Sequence, residues 1–230
     1  MSSIWQAIVR GYLKIIEPAA DLLVRLRVSP NLLTTIGTLC SVAGGIAFAF
    51  GRIHLGGWII GLCAIFDVLD GVVARRTQRT TVFGAFYDST LDRLADGAVL
   101  GGLLYFFATD PVHRNKAIVL AAIFGMIGMY LTSYTRARAE ALGIDAKVGM
   151  MQRPERVALI SAPQAFFGLA LNGYVLMAIV CILGITAWIT AIQRILFVRR
   201  ATETQEQTRI RIIGGSKKLS ARFASRRAQS

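Results

Sequence analysis

Three stretches of the chain contain no Asp, Glu, Lys or Arg and are long enough to cross a lipid bilayer as helices. They comprise 24 residues from Val28 to Gly51, 19 from Ala117 to Thr135 and 37 from Val157 to Gln193. A helix of about 20 apolar residues spans the hydrocarbon core, so the longest stretch has room for two spans, divided at the turn-forming pair Asn172-Gly173. With two apolar segments that acids interrupt, the pattern predicts an all-α integral membrane protein with six transmembrane helices, at about 31–51, 54–75, 84–109, 115–138, 156–172 and 174–196.

The residues ahead of the first span have the pattern of an amphipathic helix. Between about residues 3 and 27, apolar side chains recur at helical spacing opposite basic and acidic ones. Such a helix lies in the membrane surface, with its apolar side against the lipid. Ser29-Pro30 then predicts the start of the first span, because Ser can cap a helix and Pro fits its first turn.

The basic residues are distributed unequally between the two sides of this layout. The termini and the loops at 76–83 and 139–155, with the adjoining span ends, hold 23 of the 26 Lys and Arg residues. The other side holds Arg52, Arg114 and Lys116. Because basic loops stay in the cytoplasm, we predict a multi-pass protein of the cell membrane with both termini in the cytoplasm.

Composition supports the membrane assignment. The chain is 54% hydrophobic and 17% charged, with a mean hydropathy of +0.55, whereas soluble domains have about 25% charged residues. The net charge of +13 owes seven units to residues 199–230, and a basic segment after a span is typical of a cytoplasmic flank near anionic headgroups. No nucleic-acid-binding module accompanies the charge, so we predict no nucleic-acid partner. We expect one membrane domain over 1–198 and a basic cytoplasmic tail over 199–230.

Two predicted spans carry acidic residues where lipid-facing segments have none. Asp67 and Asp70 are three residues apart near the end of the second span, and Asp88 and Asp92 are four apart near the start of the third. Each pair lies on one helix face, and the short connection makes the two helices antiparallel neighbours. The four carboxylates are therefore expected to converge at the cytoplasmic edge of the bilayer. Asp96 is one turn further along, either as a supporting hydrogen-bond acceptor or as a site residue.

Four carboxylates at one place require a compensating positive charge. All-oxygen ligands suit Mg²⁺, Mn²⁺ or Ca²⁺, and two metal ions bridged by carboxylates would neutralise the cluster and could clamp a phosphate. Two other interpretations remain open. The acids could form a rim of ion pairs with Arg75, Arg76 and Arg93, or they could mark a cation pathway through a carrier protein.

The spacing of the residues around the acids is more specific than the acids alone. The segment reads Asp67-x2-Asp70-Gly71-x2-Ala74-Arg75-x8-Gly84-x3-Asp88-x3-Asp92. This pattern resembles the signature of the CDP-alcohol phosphotransferase family at all eight fixed positions. The six-span layout with cytoplasmic termini is also similar to that family, so the resemblance covers about residues 1–198.

The resemblance implies roles for these residues. In the family the first three aspartates hold divalent metal, which places Asp67, Asp70 and Asp88 on the metal, with Asp92 beside it as the proposed general base. Mg²⁺ is the expected metal, with Mn²⁺ as an alternative and two ions bound. Small residues leave room for a nucleotide, and an Arg fork binds phosphate oxygens. The expected contacts with a CDP-lipid are Asn31, Gly71, Ala74, Arg75 and Thr81.

A second group of residues, mostly arginines, predicts a binding site for the phosphate of a second substrate, the acceptor. It lies at the cytoplasmic ends of the last three spans and comprises Ser133, Arg136, Arg138, Arg153, Arg156 and Arg194. Arg forks match phosphate oxygens, although basic residues also mark cytoplasmic span ends in general. The segments Arg136–Glu140 and Arg153–Arg156 resemble those of the phosphatidylinositol phosphate synthase branch of the family. Arg136 departs from that branch, in which we expect Lys.

These observations predict a membrane enzyme that transfers a phosphatidyl group from CDP-diacylglycerol to a phosphorylated polyol and releases CMP. The expected acceptor is inositol phosphate. Glycerol-3-phosphate is the alternative acceptor, and the activity would then be that of a phosphatidylglycerol phosphate synthase. Outside the enzymes, the alternative is a cation carrier, which would release no CMP. The active site is expected to face the cytoplasm, and the resemblance implies a homodimer.

Overall fold

The structure, a computed structural model, describes residues 16–78 and 80–227, with side chains as far as Glu203, and these residues form helices and no strand. The predicted all-α class is therefore confirmed. After a helix over 16–25 (α1), the helices are α2 (Pro30–Ala49), α3 (Ile53–Arg76), α4 (Val82–Thr109), α5 (Lys116–Ala141), α6 (Arg153–Phe167) and α7 (Tyr174–Arg227). A 3₁₀ turn, Ala170–Gly173, lies between α6 and α7.

Four helical segments of the described chain are long and apolar enough to cross a membrane. They are α2, α3, α5 and the segment Ala170–Glu203. The 28-residue α4 is long enough, but it contains Asp88, Asp92 and Asp96, and it is not one of these four segments. The 15-residue α6 is about 22 Å long, which is less than the roughly 30 Å of a hydrocarbon core. A protein with several membrane-spanning helices is thus supported, and the count of six stays a prediction.

The turn predicted between the last two spans is present. Leu171 and Asn172 have φ angles of 54° and 55°, and Gly173 has a φ angle of 76°. The helix before this turn ends at Phe167, whereas the sequence predicted a span over 156–172. The physical reason is Gly168, whose positive φ of 52° takes the chain out of the helix.

The described helices form two compact units. The first unit contains residues 16–127 and 151–185, and the second contains 128–150 and 186–227, so α5 and α7 contribute to both. The division of the chain into a domain over 1–198 and a tail over 199–230 remains a prediction. The backbone of α7 continues as a helix through residue 198.

In the first unit, α2 packs against both α3 and α4, and α3 packs against α6. The contact between α2 and α4 is made by backbone, because a Cβ on Gly102 would lie 2.0 Å from the carbonyl oxygen of Gly45. Small residues permit such close approach of membrane helices. The core of this unit is filled by large apolar side chains, among them Phe48, Phe106 and Phe107. As a result α2 is the helix that positions α3 and α4 together.

The helix α1 is attached to the C-terminal end of α3. Arg76 donates hydrogen bonds to Glu17 at 2.8 Å and to Asp21. An apolar cluster joins α1 with α2 and α3, and its buried members are Ile16, Ala20, Leu33, Leu69 and Val73. Residues 1–15 of the predicted surface helix lie outside the described residues, and its position in the membrane surface remains a prediction.

Candidate active site

The four aspartates of the signature lie on two helices that both pack against α2. Asp67 and Asp70 belong to the last part of α3, and Asp88 and Asp92 to the first part of α4. Asp67 is close enough to each of the other three for their charges to interact. The acidic side chains therefore come together in the first unit at the C-terminal end of α3, beside the start of α4.

One guanidinium group bridges carboxylates of both helices. Arg153, the first residue of α6, lies 2.7 Å through Nη1 from Oδ2 of Asp67 and 2.9 Å through Nη2 from Oδ1 of Asp92. Its Nε is 4.0 Å from Oδ1 of Asp96, which is too far for a hydrogen bond. The side chain of Arg153 is 24% exposed. A positive charge is thus held between the two acidic helices.

A second arginine of α6 lies deeper beside the same cluster. Arg156 approaches Oδ2 of Asp96 through Nη2 at 3.4 Å, and its side chain is 8% exposed. This contact is that of a supporting acceptor, one of the two roles predicted for Asp96, and the choice between them stays a prediction. The Nε atoms of Arg153 and Arg156 are both buried without a hydrogen-bond partner among the described residues. Buried donors without partners are rare, and these two are available to a hydrogen-bond acceptor such as water or a phosphate.

The local sequence of α6 explains why its two arginines face the aspartates. Pro154 fits the first turn, where a backbone N–H has no helical partner. Glu155 accepts a hydrogen bond from the backbone N–H of Gln152 at 2.8 Å, which caps the helix start. Arg153 and Arg156 are three residues apart and lie on one face. The cap thus fixes the direction in which both guanidinium groups project.

Two residues of α2 contact the acidic cluster and were not predicted from the sequence. Thr34 donates a hydrogen bond of 2.7 Å to Oδ2 of Asp70. Gly37 leaves space for Asp67, because a Cβ there would lie 3.0 Å from Oδ1 of that carboxylate. The available signal was that Thr34 stands one turn after Asn31, on the same helix face. That signal does not reveal the partner, which is 36 residues away.

The predicted CDP-lipid contacts fall into two neighbouring groups. Thr81 is the N-cap of α4 and accepts a hydrogen bond from the N–H of Gly84 at 2.9 Å. A Cβ on Gly84 would lie 3.5 Å from Oδ1 of Asn31, so these three residues are close together. On α3, the Arg75 guanidinium lies beside Gly71, where a Cβ would be 3.2 Å from its Nη1.

Ala74 is half-buried on the same helix. The structure thus brings Asn31 and Thr81 together at Gly84, and Arg75 beside Gly71. A role of these residues in binding a CDP-lipid stays a prediction.

The remaining predicted acceptor residues belong to the second unit. Arg194 is buried and donates through Nε to the carbonyl oxygen of Val148 at 2.8 Å and through Nη1 to that of Thr132. Arg136 and Arg138 are exposed, and Nε of Arg136 lies 2.9 Å from Oε1 of Glu140. Ser133 is half-buried. These contacts give Arg194 a structural role within its unit, and the binding role predicted for the four residues is untested.

The side chains at the acidic cluster determine whether it suits a metal ion. Among the described residues, no three acidic, His or Cys side chains are arranged so that they could hold a metal ion together. In this arrangement Asp67 and Asp92 pair with Arg153, and Asp70 accepts from Thr34. The donor atoms themselves are carboxylate oxygens from two helices, which suit a hard divalent cation. The chemistry of these donor atoms therefore suits such a metal, and the guanidinium of Arg153 lies between two of the carboxylates, Asp67 and Asp92.

Comparison with known proteins identifies the family. Residues 27–202 match the family described as CDP-alcohol phosphatidyltransferase. The chain belongs to this family, and the resemblance drawn from the eight-position signature is confirmed.

Several similar proteins are named phosphatidylinositol phosphate synthase. The phosphatidylinositol phosphate synthase of Cutibacterium acnes is 37% identical over 204 residues, which are 84% of this chain and 97% of that protein. The protein of the same name from Mycobacteroides abscessus is 36% identical over 189 residues, 82% and 85% of the two chains.

Solved structures of a protein with this name are also similar. The crystal structure of the Mycobacterium tuberculosis phosphatidylinositol phosphate synthase with CDP-DAG bound has a TM-score of 0.73 and 33% identity, over 80% of this chain and 94% of that one. Its complex with manganese and citrate has a TM-score of 0.72 at the same identity, over 79% and 87% of the two chains.

Proposed function

We propose that the protein transfers the phosphatidyl group of CDP-diacylglycerol to inositol phosphate and releases CMP. The observation that carries this proposal is the pair Arg153 and Arg156 against the signature aspartates, because it would seat an acceptor phosphate directly beside the acidic cluster. The relatives named phosphatidylinositol phosphate synthase, matched over more than four-fifths of the chain, support this acceptor. The related structure with CDP-DAG bound supports the donor.

The CDP-lipid would bind at the junction of α2, α3 and α4. The fork of Arg75 suits the pyrophosphate oxygens, and Gly71 and Ala74 leave space for the nucleotide along α3. Asn31 and Thr81 lie at the adjoining start of α2 and α4, where polar groups could contact the same ligand. The apolar surfaces of these helices would border the acyl chains in the bilayer.

Asp67, Asp70, Asp88 and Asp92 would hold the divalent metal. We propose Mg²⁺, with Mn²⁺ as an alternative and two ions bound. The family and the manganese-containing related structure support a divalent metal. When bound, such a metal neutralises the carboxylates and the charge that develops on the phosphates.

Individual side chains would then have separate roles in the transfer reaction. Asp92 accepts the proton of the attacking inositol hydroxyl, a step that general-base catalysis accelerates about 10²- to 10⁴-fold. The new phosphorus–oxygen bond forms at the lipid phosphate as its bond to the CMP oxygen breaks. Arg75 stabilises negative charge on the donor, and Arg153 and Arg156 hold the phosphate of the acceptor. Ser133, Arg136, Arg138 and Arg194 are assigned to the acceptor by the family resemblance.

The decisive experiment offers different acceptors to the purified protein. CDP-diacylglycerol is supplied with inositol phosphate, glycerol-3-phosphate, inositol or serine in the presence of Mg²⁺, and CMP release is measured. We expect release with inositol phosphate and its loss when EDTA removes the metal. Release with glycerol-3-phosphate instead would identify a phosphatidylglycerol phosphate synthase. No release with any acceptor would favour the cation carrier.

We further infer that the six helices α2 to α7 all cross the membrane, with the active site and both termini in the cytoplasm. The unequal distribution of Lys and Arg supports this orientation. A homodimer is proposed from the family resemblance. Light scattering on the purified protein in detergent would test it, and a monomeric mass would contradict it.

A further inference from the structure

The Arg153 side chain contacts two of the four carboxylates that the proposed function assigns to a metal ion. Its two Nη atoms lie 2.7 Å and 2.9 Å from oxygens of Asp67 and Asp92, which belong to different helices. A guanidinium and a divalent cation bound to the same pair of carboxylates repel each other, and each leaves fewer carboxylate lone pairs to the other. The two cations must therefore compete for this pair of carboxylates.

We propose that Arg153 is an exchangeable counter-ion, which a divalent metal displaces from Asp67 and Asp92 and which then binds the phosphate of the acceptor. The inference rests on the proposed function for the identity of the ligands. The exchange itself concerns only the arginine, the two carboxylates and the metal. Metal binding would thus prepare the acceptor site, and the acceptor would bind more tightly when the metal is present.

Arg153 is better suited to this exchange than Arg156. Arg153 is the first residue of α6, its side chain is 24% exposed, and both of its short contacts are with signature aspartates. Arg156 is 8% exposed and contacts Asp96, which lies outside the signature. The helix start is fixed independently, by the bond between Glu155 and the backbone of Gln152. The side chain of Arg153 can therefore change its partner while α6 stays in place.

The unpaired donors indicate what Arg153 can bind besides the two carboxylates. Nε of Arg153 and Nε of Arg156 are both buried without a hydrogen-bond partner among the described residues. The two arginines are three residues apart on one helix face, so a single phosphate could accept from both. In the counter-ion state, the Nη atoms of Arg153 are committed to carboxylates. Release from the carboxylates makes the whole fork available to the phosphate.

The exchange predicts a reciprocal coupling between metal and acceptor. If the metal frees Arg153 for the acceptor, the metal raises acceptor affinity, and the acceptor raises metal affinity by the same factor. Couplings of this kind are typically about 5- to 150-fold. In a protein without the guanidinium, the metal would meet no competitor, and the coupling would disappear.

The test measures Mn²⁺ binding to the purified full-length protein without lipid or acceptor, by electron paramagnetic resonance or calorimetry. We expect Arg153→Gln to bind Mn²⁺ about tenfold more tightly than the unchanged protein, because the competing cation is gone. Arg199→Gln is the matched control, since it removes one charge from an exposed arginine that pairs with Glu203. Its Mn²⁺ affinity should equal that of the unchanged protein. Equal or weaker Mn²⁺ binding by Arg153→Gln overturns the proposal.

A second measurement follows inositol phosphate binding with and without Mn²⁺. The unchanged protein should bind it at least about fivefold more tightly with the metal, and Arg153→Gln should show no such gain. If Arg153→Gln does not fold, Arg153→Lys replaces it, because a point charge cannot bridge two carboxylates and should compete less. Equal Mn²⁺ affinity of the Lys variant and the unchanged protein then counts against the exchange. Tighter Mn²⁺ binding without any coupling to inositol phosphate would overturn the transfer to the acceptor.

The two proposals can fail separately. The Mn²⁺ measurement contains no substrate, so the displacement of Arg153 can hold even if another acceptor supports CMP release. Conversely, CMP release with inositol phosphate together with unchanged Mn²⁺ affinity in Arg153→Gln would leave the proposed function standing and remove the exchange.

Discussion

At the scale of single residues, the candidate site combines groups of opposite charge that come from distant parts of the chain. Asp67 and Arg153 are separated by 86 residues, and Thr34 and Asp70 by 36. A single substitution can remove the side-chain group on which such a contact depends. Three predictions therefore concern side chains that differ in their role.

The first prediction tests the general base. Asp92→Asn keeps the size and polarity of the side chain but cannot accept a proton, so CMP release should fall by at least about 100-fold. The thermal unfolding temperature in detergent should stay close to that of the unchanged protein. A folded Asp92→Asn protein with full activity would refute the assignment.

The second prediction tests the acceptor site. Arg156→Lys keeps the charge beside Asp96 but loses the fork that binds phosphate, so KM for inositol phosphate should rise about tenfold. KM for CDP-diacylglycerol should change little. Arg199→Lys provides the control at an exposed position. Equal increases in both KM values would show that the substitution disturbs the whole site.

The third prediction concerns the hydrogen bond from α2 to the acidic cluster. Thr34→Val removes the hydroxyl that donates to Asp70 and preserves the side-chain shape. Groups that orient metal ligands contribute about 10- to 100-fold to metal affinity or activity, so half-maximal activity should require more Mg²⁺. Thr38→Val is the control, because that hydroxyl donates to the backbone oxygen of Thr34 at 2.9 Å. Identical Mg²⁺ requirements of the two variants would contradict the role.

The acidic residues could be predicted from the sequence, whereas their partners on α2 could not. Charged residues in an apolar span stand out at once, and their spacing places them on one face. Thr34 and Gly37 lie in a long uncharged stretch, where a threonine or a glycine has many structural uses. The pairing of Arg153 with Asp67 and Asp92 could not be predicted from the sequence either. The sequence pattern places Arg153 at a helix start but does not indicate which carboxylates it contacts.

At the scale of helices, the contact between α2 and α4 determines how the acidic helices are held. Gly45 and Gly102 bring the two backbones into direct contact. The same α2 contributes Thr34 and Gly37 to the site on α3. A change in the spacing between α2 and α4 should therefore affect both stability and the site.

Gly102→Ala provides the fourth prediction. Its Cβ would lie 2.0 Å from the carbonyl oxygen of Gly45, so the helices must separate, and the free energy of unfolding should fall by about 1–3 kcal/mol. Gly101→Ala is the matched control, because a Cβ there meets nothing within 4 Å. It should be neutral or slightly stabilising. Thermal unfolding in detergent compares the two, and equal stability of both variants would contradict this contact.

Helix boundaries show where periodicity loses its predictive value. The long uncharged stretch from Val157 to Gln193 gave the turn at Asn172-Gly173, because that pair is a recognisable signal. It did not give the earlier helix end at Gly168, since glycine is also frequent inside membrane helices. Which glycine ends a helix depends on its neighbours in space, here the side chain of His54 beside Gly168.

At the scale of the whole molecule, the distribution of basic residues predicts the orientation in the membrane. The fifth prediction tests it by labelling single cysteines with a membrane-impermeant maleimide, after replacement of Cys40, Cys63 and Cys181 by Ala. Val112→Cys, in the exposed connection between α4 and α5, should be labelled in intact cells. Thr202→Cys should be labelled only after the membrane is opened. The opposite pattern would place the proposed active site outside the cell.

The attachment of α1 to α3 also has a consequence for the negatively charged donor of the proposed function. Glu17 and Asp21 are partly exposed, and unbalanced carboxylates at this place would repel a pyrophosphate that approaches along the membrane surface. Arg76 offsets both of them by its ion pairs. Its neighbour Arg75 can then attract the incoming nucleotide without local competition from these acids. In the proposed function, Arg76 thus neutralises Glu17 and Asp21, and Arg75 binds the pyrophosphate of the donor.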